Sequence, residues 1–129
     1  MKPDRLLDDL DRALRALADA LAKPAEDDVR RAGCIQYFEF CFELAWKSIK
    51  AVGEQAGLAD LNSPRACLRQ AWRQGWISAE APWLKMLEAR NLMAHTYDAP
   101  QALRVYEDLP EFLGALQQLH RALTDAQRS

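Results

Sequence analysis

The chain has 129 residues, half of them hydrophobic and 28% charged, with a formal net charge of −2. That size supports one domain, taken as residues 1–129, with a buried core, and the composition is that of a soluble globular protein. A near-neutral, slightly acidic chain lacks the basic excess of a protein that grips nucleic acid over its whole surface, so any basic surface is local.

No window reaches the ~20 apolar residues of a membrane span. The start, "MKPDRLLDDLDR", is acidic and has no apolar signal-peptide core. A cytoplasmic protein with no membrane association is expected. Cys34, Cys41 and Cys67 are odd in number, lack a C-x-x-C spacing and sit among apolar residues, so they read as reduced packing cysteines. Five glycines and six prolines leave little material for turns, which favours a few long elements.

Leu7, Leu10, Leu14, Leu17 and Leu21 alternate spacings of three and four, the seam of an amphipathic helix. Lys23-Pro24 ends it, because proline disfavours helix in the residue before it. A second helix is predicted from Glu26–Asp28, where acids suit the N-terminal dipole, to Gly57. In its middle, "IQYFEFCFELAWKSIK", apolar residues cover well over half the helical wheel. A surface helix needs an apolar arc of only about 100° or slightly more, so this helix is central or also faces a second chain. Glu39, Glu43 and Lys47 belong to its narrow polar stripe, which reads as a solvated face with a Glu43–Lys47 pair or as the lining of a cleft.

Ser63 followed by Pro64 marks the start of a third helix, and Gly75 its end. Arg65, Arg69 and Arg73 recur along it every four residues. They read as a solvated face, with RNA phosphates or an acidic partner surface as the alternative. A fourth helix is predicted to open near Pro82 and to end around Tyr97-Asp98. Asp98-Ala99-Pro100-Gln101 resembles a capping box for a short helix, and Asp108-Leu109-Pro110-Glu111 another for the last one. Leu109, Phe112, Leu113, Leu116, Leu119 and Leu123 line that last helix, and the tail "TDAQRS" is expected to fray. His120 beside Leu116 and Leu119 reads as structural, with no evident partner. Trp46, Trp72, Trp76 and Trp83 read as core or interface anchors. No stretch shows two-residue β alternation. The fold class is therefore all-α, an antiparallel bundle of four main helices plus a short helix, dimeric.

The fourth helix carries "RNLMAHTY". Arg90 falls in the middle of an apolar face, and burying an unpaired guanidinium costs several kcal/mol, on the order of the penalty for any desolvated ion. Either an acid such as Glu39 or Glu43 pairs with it, or it meets an anion in a cleft. Asn91 and His95 are four apart and neighbours on the helix surface. A histidine that titrates near neutrality moves protons, a guanidinium stabilises phosphorane-like charge, and an asparagine positions both. With RNA the adjacent 2′-hydroxyl serves as nucleophile, so that cleavage calls for no metal and no cofactor. The competing reading is structural, with Arg90 in a salt bridge and His95 at a helix end.

"RNLMAHTY" resembles the R-N-x-x-x-H-x-Y signature of the HEPN superfamily. More narrowly it is similar to the small HEPN proteins encoded beside minimal nucleotidyltransferases, called nucleotidyltransferase substrate-binding proteins or HepT-like toxins. "IQYFEFCFELAWKSIK" and "SPRACLRQAWRQGWI" resemble that family's long-helix and third-helix segments, in similar order. The resemblance implies a homodimeric helical bundle whose motif helices meet at a cleft. It implies that Arg90 and His95 are the catalytic pair, with Asn91 as polar companion. It implies that Tyr97 is the position the partner nucleotidyltransferase modifies with AMP. The functions that follow are a metal-independent RNase toxin restrained by a nucleotidyltransferase, or a non-catalytic subunit presenting a nucleotide or other substrate to it. A purely structural dimerisation domain is a third reading.

Overall fold

A computed structural model describes residues 2–94 and 98–128 of the chain. Five helices follow in order: α1 Pro3–Leu21, α2 Asp28–Gln55, α3 Pro64–Arg73, α4 Ala81–Met93 and α5 Ala99–Arg128. No strand occurs among the described residues. The all-α class follows directly from the absence of β alternation and from the sustained leucine seams.

Each boundary has a local cause. The α1 seam buries Leu7, Leu10, Leu14 and Leu17 and stops ahead of Pro24. Asp27 caps α2 by accepting the Arg30 N–H at 2.8 Å, and Ser63 caps α3 by accepting the Ala66 N–H at 3.1 Å. Past α2 and α3 the chain turns through Gly57 and Gly75, at φ +82° and +76°, a conformation that a Cβ disfavours. Asp98 accepts the Gln101 N–H at 3.2 Å, the expected cap of the next helix.

α2 is central: it packs against all four other helices. Phe38, Cys41, Phe42, Ala45 and Ile49 are fully buried on it, which is why its apolar arc is so wide. α1, α2 and α5 pack mutually, with Phe38 and Phe112 ring centroids 5.2 Å apart between α2 and α5. α3 and α4 lie against α2 and each other, and α4 also meets α5. Trp83 fills the space between α4 and α2 beside Phe42, at 6.4 Å between centroids. Tyr106 on α5 accepts the Ala25 N–H at 2.8 Å and pins the α1–α2 connection. The three cysteines are free and buried, as their apolar neighbours imply.

Several expectations require correction. The bundle of four main helices plus a short one is instead five helices, because the predicted short and last helices are one element of 30 residues. Pro110 lies inside it. A proline there removes one backbone hydrogen bond and costs about 3 kcal/mol. The buried face of Val105, Leu109, Phe112 and Leu116 passes through it unbroken and offsets that cost. Asp108 and Glu111 do not form a cap; both carboxylates approach Lys85 of α4, at 3.5 and 3.7 Å. The tail does not fray at Thr124, because Leu123 is fully buried and Ala126 packs on the core. His120 does have a partner: its Nε2–H donates to the Leu7 carbonyl of α1 at 3.0 Å, which fixes the tautomer, since a carbonyl only accepts.

Candidate active site

The last turn of α4 and the middle of α2 meet at Arg90. Its Nε donates to Glu43 Oε1 at 2.8 Å, and its Nη1 lies 3.4 Å from Asn91 Oδ1. The second Glu43 oxygen, Oε2, accepts the Trp46 indole N–H at 2.8 Å. Glu43 is therefore held at both ends, by a guanidinium from another helix and by an indole one turn along its own. The expected Glu43–Lys47 pair gives way to this arrangement. Lys47 is exposed and stands over the Trp46 ring, 5.9 Å from its centroid.

The Arg90 and Glu43 side chains are 33% and 32% exposed, so the pair borders the surface. Nε is committed to Glu43, while Nη2 makes no bond among the described residues. A guanidinium has five N–H donors in a fixed fork. With Nε on Glu43 and Nη1 beside Asn91, Nη2 is the nitrogen of this fork left without a bond among the described residues.

Glu39 sits one turn before Glu43 on the same stripe. Burial pushes its carboxyl above the ordinary range, the Glu43 charge pushes it further, and the Arg90 charge opposes both. Three charged groups thus share one local field, and only Glu43 is in direct contact with Arg90. Of the two acids the sequence offers Arg90, Glu39 and Glu43, the geometry selects Glu43. Trp46 joins them unexpectedly, and its i, i+3 relation to Glu43 is the local signal for it.

Asn91 is exposed and beside Arg90. His95 and Tyr97 lie outside the described residues, so of the expected site residues Arg90, Asn91, Glu39, Glu43 and Lys47 are the ones described in place. α4 ends at Met93, two residues before His95.

Comparison with known proteins agrees with this architecture. Residues 5–125 match the family described as nucleotidyltransferase substrate binding protein like. A curated relative from Haemophilus influenzae, named probable ribonuclease HepT, is 36% identical over 90 residues. That match spans 67% of this chain and 62% of the relative, less than two thirds of its length. The fold is similar to that of a protein from Thermus thermophilus, with a TM-score of 0.80 at 31% identity over 88% of this chain and 98% of that one. It is equally similar to HI0074 of Haemophilus influenzae, described as having the fold of a substrate binding domain of a nucleotidyltransferase. There the TM-score is 0.80 at 30% identity over 92% and 98% of the two chains. With nearly its whole length matched, the chain belongs to the nucleotidyltransferase substrate-binding protein family.

Proposed function

We propose that this protein is the HEPN subunit of a two-component nucleotidyltransferase system and acts as a metal-independent endoribonuclease toxin. The observation that carries the reading is the Arg90–Glu43 pair, which orients a partly exposed guanidinium at the end of the helix leading into His95. The curated name of the Haemophilus influenzae relative supports the same reaction class.

The chemistry assigned to the residues is transesterification. His95 as general base takes the proton of the 2′-hydroxyl, whose oxygen attacks the adjacent phosphorus. The new O2′–P bond forms as the P–O5′ bond breaks; the 5′-oxygen takes a proton from water as it leaves, and His95 returns its own proton to solvent. The products are a 2′,3′-cyclic phosphate and a 5′-hydroxyl. Arg90 stabilises the charge that accumulates on the non-bridging oxygens, and Glu43 keeps its fork from rotating. Asn91 positions substrate or histidine.

The site is completed in a homodimer. Phe40 of α2 is 51% exposed and Tyr37 41%, on a helix that fully buries Phe38 and Phe42, and a second copy covers them. The nucleotidyltransferase silences the toxin by adenylylating Tyr97, which sets bulk and negative charge against the phosphate-binding guanidinium.

The test is cleavage of single-stranded RNA by the purified protein in EDTA. The wild type cleaves; Arg90→Ala lowers the rate about 10²–10³-fold, the usual loss for an oxyanion donor. Cleavage undiminished in that variant rules the mechanism out. The family description and the net charge of −2 favour a second reading, a non-catalytic subunit that holds a nucleotide for the nucleotidyltransferase. Calorimetry with nucleotides, alone and with the partner, separates the two: a saturable nucleotide site without RNA cleavage supports the second.

A further inference from the structure

The groove between α3 and α4 holds two guanidiniums that the fold does not use. A cavity of about 170 Å³ is lined by Arg65 and Arg69 of α3, Glu80 at the start of α4, and an apolar floor of Leu68, Ile77 and Trp83. A second depression of about 480 Å³ shares Arg65 and follows α4 past Leu84 and Glu88 as far as Asn91. Arg65 therefore joins the cavity to the residue beside Arg90. Among the described residues neither Arg65 nor Arg69 has a side-chain hydrogen bond or ion pair. Trp72 lies outside the lining of both depressions, but it follows Arg69 by three positions on the same side of α3 and is 43% exposed.

Guanidiniums left unpaired at the surface of a groove suit an anion. Glu80 and Glu88 leave the groove without a net charge, which disfavours a bare polyanion. A nucleotide in a strand matches every part of this lining. Its phosphodiester answers the guanidiniums, its base amines donate to a carboxylate, and its ring face is apolar. An exposed tryptophan beside arginines is the usual stacking platform for an unpaired base.

We infer that the α3–α4 groove binds single-stranded RNA and leads it to Arg90, with Arg65 and Arg69 on phosphates flanking the reactive one and Trp72 stacked on a base. The inference rests on the ribonuclease reading for its destination, while the binding it asserts is measured independently of cleavage.

The experiment is fluorescence anisotropy with a labelled single-stranded RNA about 12 nucleotides long, 2′-O-methylated to block cleavage. The full chain is compared with Arg65→Ala/Arg69→Ala, with Trp72→Ala, and with Arg12→Ala as a control on α1. The double variant binds at least ~10-fold more weakly, and its salt slope falls by about 1.4, or about 0.7 for each single-strand phosphate no longer neutralised. Trp72→Ala weakens binding about fivefold or more, and Arg12→Ala binds as the wild type does. All four substitutions remove exposed side chains, and unchanged melting of the three variants verifies the fold. Wild-type binding that disappears in the double variant, without any cleavage of unmodified RNA by the wild type, keeps the groove and removes the ribonuclease reading. Cleavage with unchanged KM in the double variant removes the groove and keeps the ribonuclease. Failure of the wild type to bind RNA overturns the inference, as does a double variant that loses only its complex with the nucleotidyltransferase.

Discussion

Glu43 on α2 accepts from Arg90 on α4 across 2.8 Å, and its other oxygen accepts from Trp46. The carboxylate is thus an orienting group, and the charge it carries matters less for stability than for where the guanidinium points. Glu43→Gln is expected to lower RNA cleavage about tenfold through kcat, while stability changes by about 1 kcal/mol or less, as befits a pair a third exposed. Arg90→Lys is expected not to restore activity, because an ammonium lacks the planar fork that can hold Glu43 through Nε and still present Nη2 to a phosphate. Steady-state kinetics with parallel thermal melts read both effects.

Glu39 carries a pH signature. Its carboxyl is raised by burial and by Glu43, so the native state binds this proton more readily than the unfolded chain does. Its contribution to stability is fully present below the unfolded carboxyl value and is lost as pH rises through the native one. Glu39→Gln, which mimics the protonated form, is therefore expected to raise Tm by about one or two degrees at pH 7. The gain disappears near pH 4, where the wild-type carboxyl is itself protonated. Melting curves of the two proteins across that range decide the point, and a gain that persists at low pH counts against the assignment.

The thiols predict a second, alkaline signature. Burial pushes Cys41 up to about 12 and Cys67 up to about 11, from an ordinary value of 9.0. Between those limits the unfolded chain loses protons that the native state keeps, so stability falls as pH rises above 9. Urea unfolding at pH 8 and pH 10 measures the slope, and Cys41→Ala flattens it relative to wild type. In the native state neither thiol reacts with a disulfide reagent at pH 8, and both react once the chain is unfolded.

Pro110 offers a stabilising substitution. It is exposed inside α5, where it withholds one backbone donor. Pro110→Ala restores that N–H, and the gain, about 1–2 kcal/mol, is smaller than the helix-propensity difference because the unfolded chain also becomes freer. Chemical denaturation of the two proteins measures it, with an unchanged slope expected.

Much of this was readable because the relevant signals are local. The leucine seam of α1, the Ser63-Pro64 start of α3 and the glycine stops at 57 and 75 each act within a turn of chain. The course of the chain through Pro110 was not readable, because it is decided by a buried face that extends to both sides of the proline. The Arg90 environment divides in the same way. Spacing reveals a guanidinium on an apolar face that calls for either an acid or an anion. The choice of Glu43 over Glu39 depends on how α2 and α4 cross, and so does the engagement of Trp46, which displaced the expected Glu43–Lys47 pair. The arginines of α3 looked like a solvated stripe in one dimension, and only the approach of α4 makes a groove beside Arg65 and Arg69.

The central claim is that Arg90 and His95 form one centre for RNA cleavage, and replacing the proton carrier tests it most directly. The measurement is the rate at which purified His95→Ala cleaves single-stranded RNA in EDTA, beside the wild type, with product ends identified by mass spectrometry. The expected result is 2′,3′-cyclic phosphate and 5′-hydroxyl ends from the wild type and a loss of about 10²–10⁴-fold in the variant. Cleavage by His95→Ala at the wild-type rate, or wild-type products ending in 5′-phosphate, contradicts it.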